Sequence, residues 1–282
     1  MWICSSKRGH CMNISGNTIL ITGGGSGIGR GLAEALHALG NQVVIAGRRR
    51  QVLDETTAAN PGMKTATLII EDAASIRDFA VQIEKNYSSL NIVIQNAGIM
   101  RPENLKSQNL ADAEAIITTN LLGPIRLTSA LLSLLQKQPH ATVMTVSSGL
   151  AFVPLALTPS YSATKAAIHS YTQSLRHQLR DTKVEVLELI PPYVQTELMG
   201  EAQAADPRAM PLQDFVAETI EILKIQPTPP EICVTRVDFL RTLPKTAIMT
   251  MSSTRSTRCT DQSRFASVSG GPDLPCPHLT SG

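Results

Sequence analysis

The sequence predicts an α/β fold in which helices flank a doubly wound, parallel sheet of seven strands. Short runs of aliphatic and β-branched residues alternate with helical patterns along most of the chain, and the connections between them are short. This alternation is typical of repeated βα units, which build parallel sheets. The composition agrees, because 43% of the residues are hydrophobic but only 4% are aromatic. A chain of 282 residues is long enough for one large domain.

Six short apolar runs have the composition of strands that are buried on both faces. They are Thr18–Thr22, Gln42–Ala46, Thr65–Ile70, Asn91–Gln95, Ala141–Val146 and Val184–Leu189. A seventh and last strand is predicted over Glu231–Phe239.

Helical patterns occupy the segments between these strands. In the first of them, apolar residues recur at helical spacing from Ile28 to Leu39, and Gly40 is placed to end the helix. The other predicted helices cover about Gln51–Ala59, Ala73–Tyr87, Ala111–Gln136, Tyr161–Arg180 and Gln213–Lys224.

The two ends of the chain differ from the rest. Residues 1–11 look detached, so we expect either a disordered N-terminal arm or a natural start at Met12. The run from Thr246 to Gly282 is rich in Ser, Thr, Arg, Pro and Gly, which is typical of disorder. The predicted folded domain therefore spans residues 12–241, and a disordered tail is predicted over 242–282. These ends also raise the possibility of misjudged gene boundaries or a frameshift.

Charge, hydropathy and cysteine content exclude several classes of function. The net charge is only +2 with no basic stripe, which argues against a nucleic-acid partner. No apolar run approaches the ~20 residues of a membrane helix, and the N-terminus lacks the apolar core of a signal peptide. The five cysteines form no CxxC pair, so we expect no zinc site and no disulfide framework. A reducing, cytoplasmic location fits best.

A glycine-rich turn, Thr22-Gly-Gly-Gly-Ser-Gly-Ile-Gly29, follows the first predicted strand and opens the first predicted helix. Glycines allow the backbone to approach a diphosphate, and the helix N-terminus offers unpaired N–H groups to it. The spacing is Gly23-xxx-Gly27-x-Gly29 rather than GxGxxG. The alternative is a turn that only connects strand to helix. The strand–turn–helix context favours a dinucleotide site and thus a Rossmann-type fold.

The end of the second strand predicts which dinucleotide binds. NAD sites place an acidic residue there to hold the ribose 2′-hydroxyl. Here Gly47 is followed by Arg48, Arg49 and Arg50, so no acid would repel a 2′-phosphate and Arg48 offers it a bidentate fork. We therefore expect NADP(H) to be preferred over NAD(H). The alternative, a solvated basic helix start, is the interpretation for Arg49 or Arg50.

A tyrosine and a lysine, Tyr161 and Lys165, lie four residues apart on one predicted helix face. A neighbouring ammonium favours the phenolate and lowers the pKa of a tyrosine, which suits acid–base chemistry near neutral pH. On the same helix, His169 and His177 are interpreted as ordinary helix residues rather than metal ligands.

Five motifs in this order resemble those of the short-chain dehydrogenases/reductases, in the single-domain branch of that family. They are Thr22-Gly-xxx-Gly-Ile-Gly29, Asn96-Ala-Gly98, Asn120, Ser148 and Tyr161-xxx-Lys165. The resemblance covers about Met12 to Arg241. The segment Pro191–Leu198 resembles the version found in the DltE-like subgroup of uncharacterised oxidoreductases.

The resemblance implies a role for each matching residue. Tyr161 would be the general acid or base, Lys165 would lower the pKa of Tyr161 and bind the nicotinamide ribose, and Ser148 would bind the substrate oxygen. Asn120 would hold a water that links Lys165 to solvent. The implied cofactor-binding residues are Thr22, Gly23, Ser26, Gly27, Ile28, Gly29, Arg48, Asp72, Asn96, Ala97, Gly98, Tyr161, Lys165, Pro191 and Thr196.

Three positions depart from the family pattern. Gln95 replaces an Asn before Asn96, and Pro192 replaces a Gly beside the nicotinamide. At the end of the third strand, where the family often has an Asp that contacts adenine, the register gives Ile69; the contact is then either lost or made by Asp72.

The segment Tyr193–Pro211 is predicted to cover a mainly apolar carbonyl or alcohol substrate. Contacts are expected from Tyr193, Leu198, Met199 and Met210, with a wall from Phe152, Val153 and Leu155. The apolar run Leu121–Leu135 and the Tyr161 helix are expected to pair across a two-fold axis in a homodimer or homotetramer. The alternative function is a non-catalytic dinucleotide sensor or interaction protein on the same fold.

Overall fold

The computed structural model describes residues 12–107 and 110–242 of the chain, which contain one parallel sheet of seven strands. The strand order is β3-β2-β1-β4-β5-β6-β7. The strands are β1 Thr18–Thr22, β2 Gln42–Gly47, β3 Lys64–Thr67, β4 Leu90–Gln95, β5 Ala141–Val146, β6 Val184–Ile190 and β7 Glu231–Cys233. The order reverses between β1 and β4, which opens a crevice at the carboxyl ends of the strands. The predicted doubly wound fold is confirmed.

Helices cover both faces of the sheet. They are α1 Gly27–Ala38, α2 Arg50–Ala59, α3 Ala73–Asn86, α4 Ala111–Ile117, α5 Gly123–Lys137, α6 Pro159–Leu179, α7 Glu201–Ala204, α8 Leu212–Leu223 and α9 Thr235–Thr242. Short 3₁₀ turns lie at Leu105–Ser107 and Gly149–Ala151.

The core is divided in two by the sheet, because successive side chains of a strand point to opposite faces. On one face Ile19 and Ile21 of β1 belong to a cluster with Phe215 of α8. On the other face Leu20 belongs to a cluster with Leu131 of α5. The strands that end at the crevice are thus packed against a hydrophobic cluster on each face of the sheet.

The third strand is shorter and more exposed than predicted. It ends at Thr67 rather than Ile70, and none of its four residues is buried, because it lies at the edge of the sheet and pairs only with β2. Leu68 and Ile70, which gave the apolar signal, are buried beyond the strand against the second core cluster.

The last predicted strand, Glu231–Phe239, is wrong beyond Cys233. The chain continues as helix α9, whose first residue, Thr235, donates its backbone N–H and its hydroxyl to Glu218 Oε1 at 2.6 and 2.7 Å. Val237 and Leu240 lie three residues apart, which is helical spacing, and both pack over Gly149. The β-branched composition of this segment concealed that spacing.

The long helix predicted over Ala111–Gln136 contains a π-helical turn, Thr118–Leu122, between α4 and α5. The helical segment Ala111–Lys137 has 27 residues and contains an 18-residue stretch with a mean hydropathy of 1.3, so by length and composition alone it could cross a membrane. In the structure this helix packs against α3, α6 and the sheet, as a core helix does. The predictions made for residues 1–11 and for the tail beyond Thr242 fall outside the described residues.

Candidate active site

The glycine-rich turn is tied to the end of β4. Thr22 Oγ1 accepts hydrogen bonds from the backbone N–H groups of Asn96 and Ala97 at 3.1 and 3.0 Å. Asn96 Nδ2 donates to the carbonyl oxygens of Thr22 and Gly23 at 3.0 and 3.3 Å. A Cβ atom on Gly29 would overlap both Gly23 O and Asn96 Nδ2, so only glycine fits there. The motifs at Thr22–Gly29 and Asn96–Gly98 therefore form one unit at the carboxyl edge of the sheet.

The N-terminus of α1 faces this crevice without a side-chain cap. Ser26 precedes the helix in extended conformation, and no described residue caps its first turn through a side chain. That turn, which begins with Gly27 and Ile28, contains no acidic residue. Gly23 and Gly27 have φ values of 67° and 51°, a backbone conformation that side chains disfavour. The turn thus presents N–H donors and the positive end of a helix dipole.

The three consecutive arginines have different environments. Arg48 Nη1 lies 3.2 Å from Glu71 Oε1, and both side chains are partly exposed. Arg49 Nη2 donates to Ser26 Oγ at 3.3 Å, which brings a second guanidinium to the glycine-rich turn. Arg50 pairs with Asp54 one turn along α2 at 2.8 Å. The interpretation as a solvated helix start fits Arg50, and Arg49 is also exposed but contacts the glycine-rich turn, which the sequence did not indicate.

Asp72, the expected adenine contact, begins helix α3. Its Oδ1 accepts from the backbone N–H of Ala74 at 2.8 Å, so one oxygen already caps the helix. Ile69, at the position of the usual Asp, is exposed. The contact between Asp72 and adenine stays a prediction.

The structure brings Ser148, Tyr161 and Lys165 together, and all three side chains are buried. The Ser148 side chain lies close enough to the Tyr161 hydroxyl to act on its pKa. Lys165 Nζ lies 5.4 Å from the centroid of the Tyr161 ring and donates to the carbonyl oxygen of Val146 at 2.8 Å. Ser148 Oγ also accepts from the backbone N–H of Leu150 at 3.1 Å, which fixes it at the end of β5.

Burial is the main cause of the shifted pKa values of Tyr161 and Lys165. It raises the pKa of Tyr161 to about 12, and the Ser148 side chain only partly offsets it. Burial lowers the pKa of Lys165 to about 8, partly offset by the negative charge of Glu188. In the protein alone, the Lys165 ammonium bonds the Val146 carbonyl instead of the phenol, and burial leaves the pKa of Tyr161 raised; a lowering of this pKa by Lys165 stays a prediction.

Helix α6, which carries Tyr161 and Lys165, is capped at its start by an acidic residue from a neighbouring loop. Pro159 occupies its first turn, where its missing N–H costs nothing. Glu103 accepts from the backbone N–H and the hydroxyl of Ser160, at 2.9 and 2.6 Å. This cap lies next to Tyr161 in sequence and fixes where the tyrosine stands.

Asn120 lies in the π-helical turn, a distortion that often marks functional sites. Its side-chain oxygen accepts from the backbone N–H of Ile99, and its Nδ2 donates to the carbonyl oxygen of Ile99, both at 2.8 Å. Nδ2 also lies 3.4 Å from Thr164 Oγ1, beside Lys165 in sequence. Gly98 passes so close that a Cβ would lie 3.2 Å from Asn120 Oδ1. Asn120 thus joins β4 to the catalytic helix.

The segment after β6 folds back over the crevice. Gly149 donates its N–H to Pro191 O at 2.9 Å, and Val194 pairs with Met210 in a short parallel bridge. Thr196 lies against the glycine-rich turn, since a Cβ on Gly27 would be 3.4 Å from it. Pro191 and Thr196 therefore lie beside the catalytic serine turn and the glycine-rich turn, respectively.

A glutamine holds this segment in shape. Gln203 of α7 is buried, and its Nε2 donates to Val194 O at 2.8 Å and to Thr196 Oγ1 at 3.1 Å. Its Oε1 accepts from the backbone N–H of Met199 at 3.0 Å. Sequence reasoning missed Gln203, because a polar residue in a loop gives no signal of burial.

Part of the predicted substrate wall is available to a ligand. Tyr193, Leu198 and Leu155 are exposed, as is the neighbouring Leu157. Met210 is buried in the bridge to Val194. Phe152 packs edge-on against the ring of His169 at 4.9 Å and belongs to the core instead.

His169 is not an ordinary helix residue. Its Nδ1 lies 2.9 Å from both carboxylate oxygens of Glu188, which is fully buried. Glu231 completes a group whose ligand atoms lie within 4.8 Å of one another, a spacing that suits a metal ion. The Glu231 carboxylate, however, already binds the Arg241 guanidinium at 2.9 and 3.2 Å. His169, Glu188 and Glu231 come from segments that are distant in sequence, so no local spacing of residues predicts that they meet.

Comparisons with known proteins extend these observations. Residues 17–207 match the family model described as short chain dehydrogenase. The chain is 39% identical over 219 residues to the uncharacterized oxidoreductase DltE of Bacillus subtilis strain 168, covering 76% of this chain and 86% of that protein. A short chain dehydrogenase from Burkholderia cenocepacia, solved in complex with NADP, superposes with a TM-score of 0.69 at 21% identity, covering 93% and 100% of the two chains. One from Burkholderia phymatum, solved in complex with NAD, gives 0.73 at 20% identity, covering 88% and 99%.

Proposed function

Because the chain belongs to the short-chain dehydrogenase family, we propose that it is an NADP(H)-dependent oxidoreductase acting on a mainly apolar carbonyl or alcohol. The observation that carries the proposal is the buried group of Ser148, Tyr161 and Lys165, in which the Ser148 side chain acts on the Tyr161 hydroxyl and Lys165 follows Tyr161 by one helical turn. Two hydroxyls so placed can bind one substrate oxygen together, and one of them can exchange a proton with it.

The residues at the carboxyl edge of the sheet fit a dinucleotide. The uncapped first turn of α1 and the left-handed glycines Gly23 and Gly27 suit a diphosphate that the backbone must approach closely. The proposed binding residues are those that the family pattern implies, with Arg49 and Gln203 added by the structure. When bound, the nicotinamide supplies or accepts the hydride.

The preference for NADP(H) is supported by charge. Arg49 contacts Ser26 of the glycine-rich turn, and Arg48 lies at the end of the neighbouring strand β2, where it pairs with Glu71. Gly47 stands where an NAD site places an acidic residue. A phosphate at this place would compete with Glu71 for Arg48 and with Ser26 for Arg49. Guanidinium groups bind phosphates through paired, charge-assisted hydrogen bonds.

Tyr161 is the proposed general acid in the reducing direction. With its pKa raised to about 12, it keeps its proton at neutral pH and can donate it to the carbonyl oxygen as negative charge develops there. Ser148 donates a hydrogen bond to the same oxygen, and the Lys165 ammonium favours the phenolate left behind. Asn120 is proposed to hold a water that returns a proton by way of Lys165. Its contact with Thr164 supports this position.

The apolar character of the substrate is supported by the mouth of the crevice. Leu155, Leu157, Tyr193 and Leu198 are exposed large hydrophobic residues on the loops that flank the site. Apolar side chains around a few convergent polar groups are typical of small-molecule sites.

We also propose a homodimer or homotetramer built on the long helix and α6. The long helix exposes Ile117 and Leu122, and α6 exposes the small residues Ala166, Ser170 and Ser174. A cytoplasmic location is proposed with it; Cys233, the one cysteine among the described residues, is a free thiol.

Cofactor titration combined with turnover tests the function. The proposal expects NADPH to bind more tightly than NADH, and oxidation of NADPH with apolar ketones or aldehydes from a broad panel. Binding of NADPH without turnover of any compound, in either direction, would instead support the non-catalytic sensor. Failure to bind either nucleotide would overturn both.

A further inference from the structure

Glu188 is a buried acid that the proposed chemistry does not use. It lies on β6 with no solvent exposure, and both of its carboxylate oxygens are 2.9 Å from His169 Nδ1. An ionised carboxylate in a protein core costs several kcal/mol unless a hydrogen-bonded partner compensates it. An imidazole that donates to an ionised carboxylate through this contact carries a hydrogen on Nδ1 in both its neutral and its charged form.

The position of Glu188 links it to Lys165. His169 follows Lys165 by one turn of α6, so the two side chains lie on the same face of that helix. Lys165 Nζ donates to Val146 O on β5. In the neighbouring β6, Glu188 is the register partner of Thr145, the residue before Val146. The carboxylate thus lies beside the strand position that receives the ammonium.

The charge of each group matters to the other. Lys165 is almost completely buried, and burial lowers its pKa to about 8 while the Glu188 carboxylate acts in the opposite direction. A lysine in such surroundings loses its proton near neutral pH unless an anion remains close.

We propose that Glu188 is the buried counter-charge of Lys165 and that His169 holds the Glu188 carboxylate in place, so that the pair sets how much of Lys165 is an ammonium. The effect on turnover rests on the proposed function. The charge coupling itself does not, because it exists in the protein without cofactor or substrate.

Further charged groups complete the surroundings of the pair. Glu231 of β7 is in register with Glu188 and binds Arg241 of α9, whose guanidinium lies 4.9 Å from the centre of the Phe152 ring. Arg176 and Cys233 also interact electrostatically with Glu231. Because Arg241 already supplies a positive charge at Glu231, the arrangement favours a network of alternating charges over a metal site.

The test is direct titration of Lys165 in the protein without cofactor. Protein carrying [6-¹³C]lysine is titrated by NMR, and the Lys165 signal is assigned by its loss in Lys165→Arg. Glu188→Gln keeps the volume of the side chain and an acceptor for His169 but removes the charge. We expect it to move the titration midpoint of Lys165 to lower pH by about 1.

Glu185→Gln is the matched control. Glu185 is a buried glutamate on the same strand, but it lies on the opposite face, where its Oε2 is 3.4 Å from Thr142 Oγ1. This variant should leave the Lys165 midpoint unchanged. Equal midpoints in Glu188→Gln and the wild-type protein, or equal shifts in both glutamine variants, would overturn the proposal.

Two substitutions of His169 test its role separately. His169→Asn keeps a donor near the position of Nδ1 and should leave the Lys165 midpoint close to that of the wild-type protein. His169→Leu removes the donor that holds the Glu188 carboxylate in place, so the midpoint of Lys165 should fall toward that of Glu188→Gln. If the folded His169→Leu protein shows the same Lys165 midpoint as the wild-type protein, the role proposed for His169 is wrong.

Calorimetric titration with Zn²⁺ checks the competing explanation. We expect no binding that depends on Glu188, and saturable binding lost in Glu188→Gln would identify a metal site and overturn the proposal. These titrations do not depend on hydride transfer. If the Lys165 midpoint shifts in Glu188→Gln but the protein turns over no substrate, the charge coupling stands and the proposed function fails.

Discussion

Lys165 lies 5.4 Å from the centre of the Tyr161 ring, yet its ammonium hydrogen-bonds the backbone carbonyl of Val146. In the protein alone, the lysine therefore acts on the tyrosine through space rather than by a direct bond to the phenol. The phenol has a high pKa and the ammonium a low one, because both are buried. This combination favours a protonated tyrosine at neutral pH, which suits reduction more than oxidation.

The pH dependence of reduction follows from Lys165. Its pKa is lowered to about 8, so the ammonium is present below that pH and is lost as the pH rises through it. Because the ammonium favours the phenolate that Tyr161 becomes, we expect kcat/KM for carbonyl reduction to fall above about pH 8. The rate profile with NADPH from about pH 6 to 10 measures this. A rate that stays constant to the upper limit would contradict the assigned role of Lys165.

Arg49 provides a prediction about cofactor choice. Arg49→Ala should weaken NADPH binding by about tenfold or more, as expected for the loss of a charge-assisted hydrogen bond, and should leave NADH binding nearly unchanged. The matched control is Arg50→Ala, since Arg50 pairs with Asp54 in its own helix. Fluorescence titration of both variants with both nucleotides gives the comparison. Equal losses of NADPH affinity in the two variants would reject Arg49 as a phosphate ligand.

Gly29 provides a prediction about stability. A methyl group there would overlap the Gly23 carbonyl oxygen and the Asn96 side chain, so the junction of the glycine-rich turn with β4 must open. We expect Gly29→Ala to lower the free energy of unfolding by about 2 kcal/mol or more. Gly47→Ala is the control, because its nearest contact would be Leu53 at 3.7 Å. Thermal denaturation without nucleotide compares them, and an unchanged Gly29→Ala protein would contradict the described packing.

Gln203 should act on the cofactor through Thr196. Gln203→Leu introduces an apolar side chain of similar size and removes the donor to Thr196 Oγ1 and the acceptor for Met199. We expect the KM for NADPH to rise about tenfold, with a smaller change in kcat, because the segment that contacts the glycine-rich turn loses its shape.

Gln195→Leu is the corresponding control, since its side chain donates to Asp206 O at the outer end of the same segment. If both variants change the KM for NADPH equally, the effect comes from the segment as a whole and not from Thr196.

The sequence predicted the fold well where the pattern is local. The strands β1, β4, β5 and β6 are buried on both faces, and their continuous apolar runs predict them directly from the sequence. The edges of the sheet were harder to predict from sequence. Strand β3 is an edge strand and is not buried, and the segment after Cys233 has β-branched residues at helical spacing. Tertiary packing decided both cases.

The candidate site was predictable where motifs carry it, as for Ser148, Tyr161 and Lys165, and the family resemblance behind them is confirmed. Contacts between distant segments were not predictable. Glu188 and His169 meet across β6 and α6, and Gln203 is buried inside a loop whose composition suggests exposure. The raised pKa of Tyr161 also required the structure, because burial outweighs the effect of the neighbouring Ser148 side chain.

The most direct test of the central claim is the turnover of Tyr161→Phe, measured beside its affinity for NADPH. Phenylalanine removes only the hydroxyl, so the cofactor should bind with nearly unchanged affinity. We predict that kcat for the best substrate of the panel falls by about 10²–10⁴-fold, the usual contribution of a positioned proton donor. A variant that binds NADPH and retains the wild-type kcat would contradict the assignment of Tyr161 as the general acid.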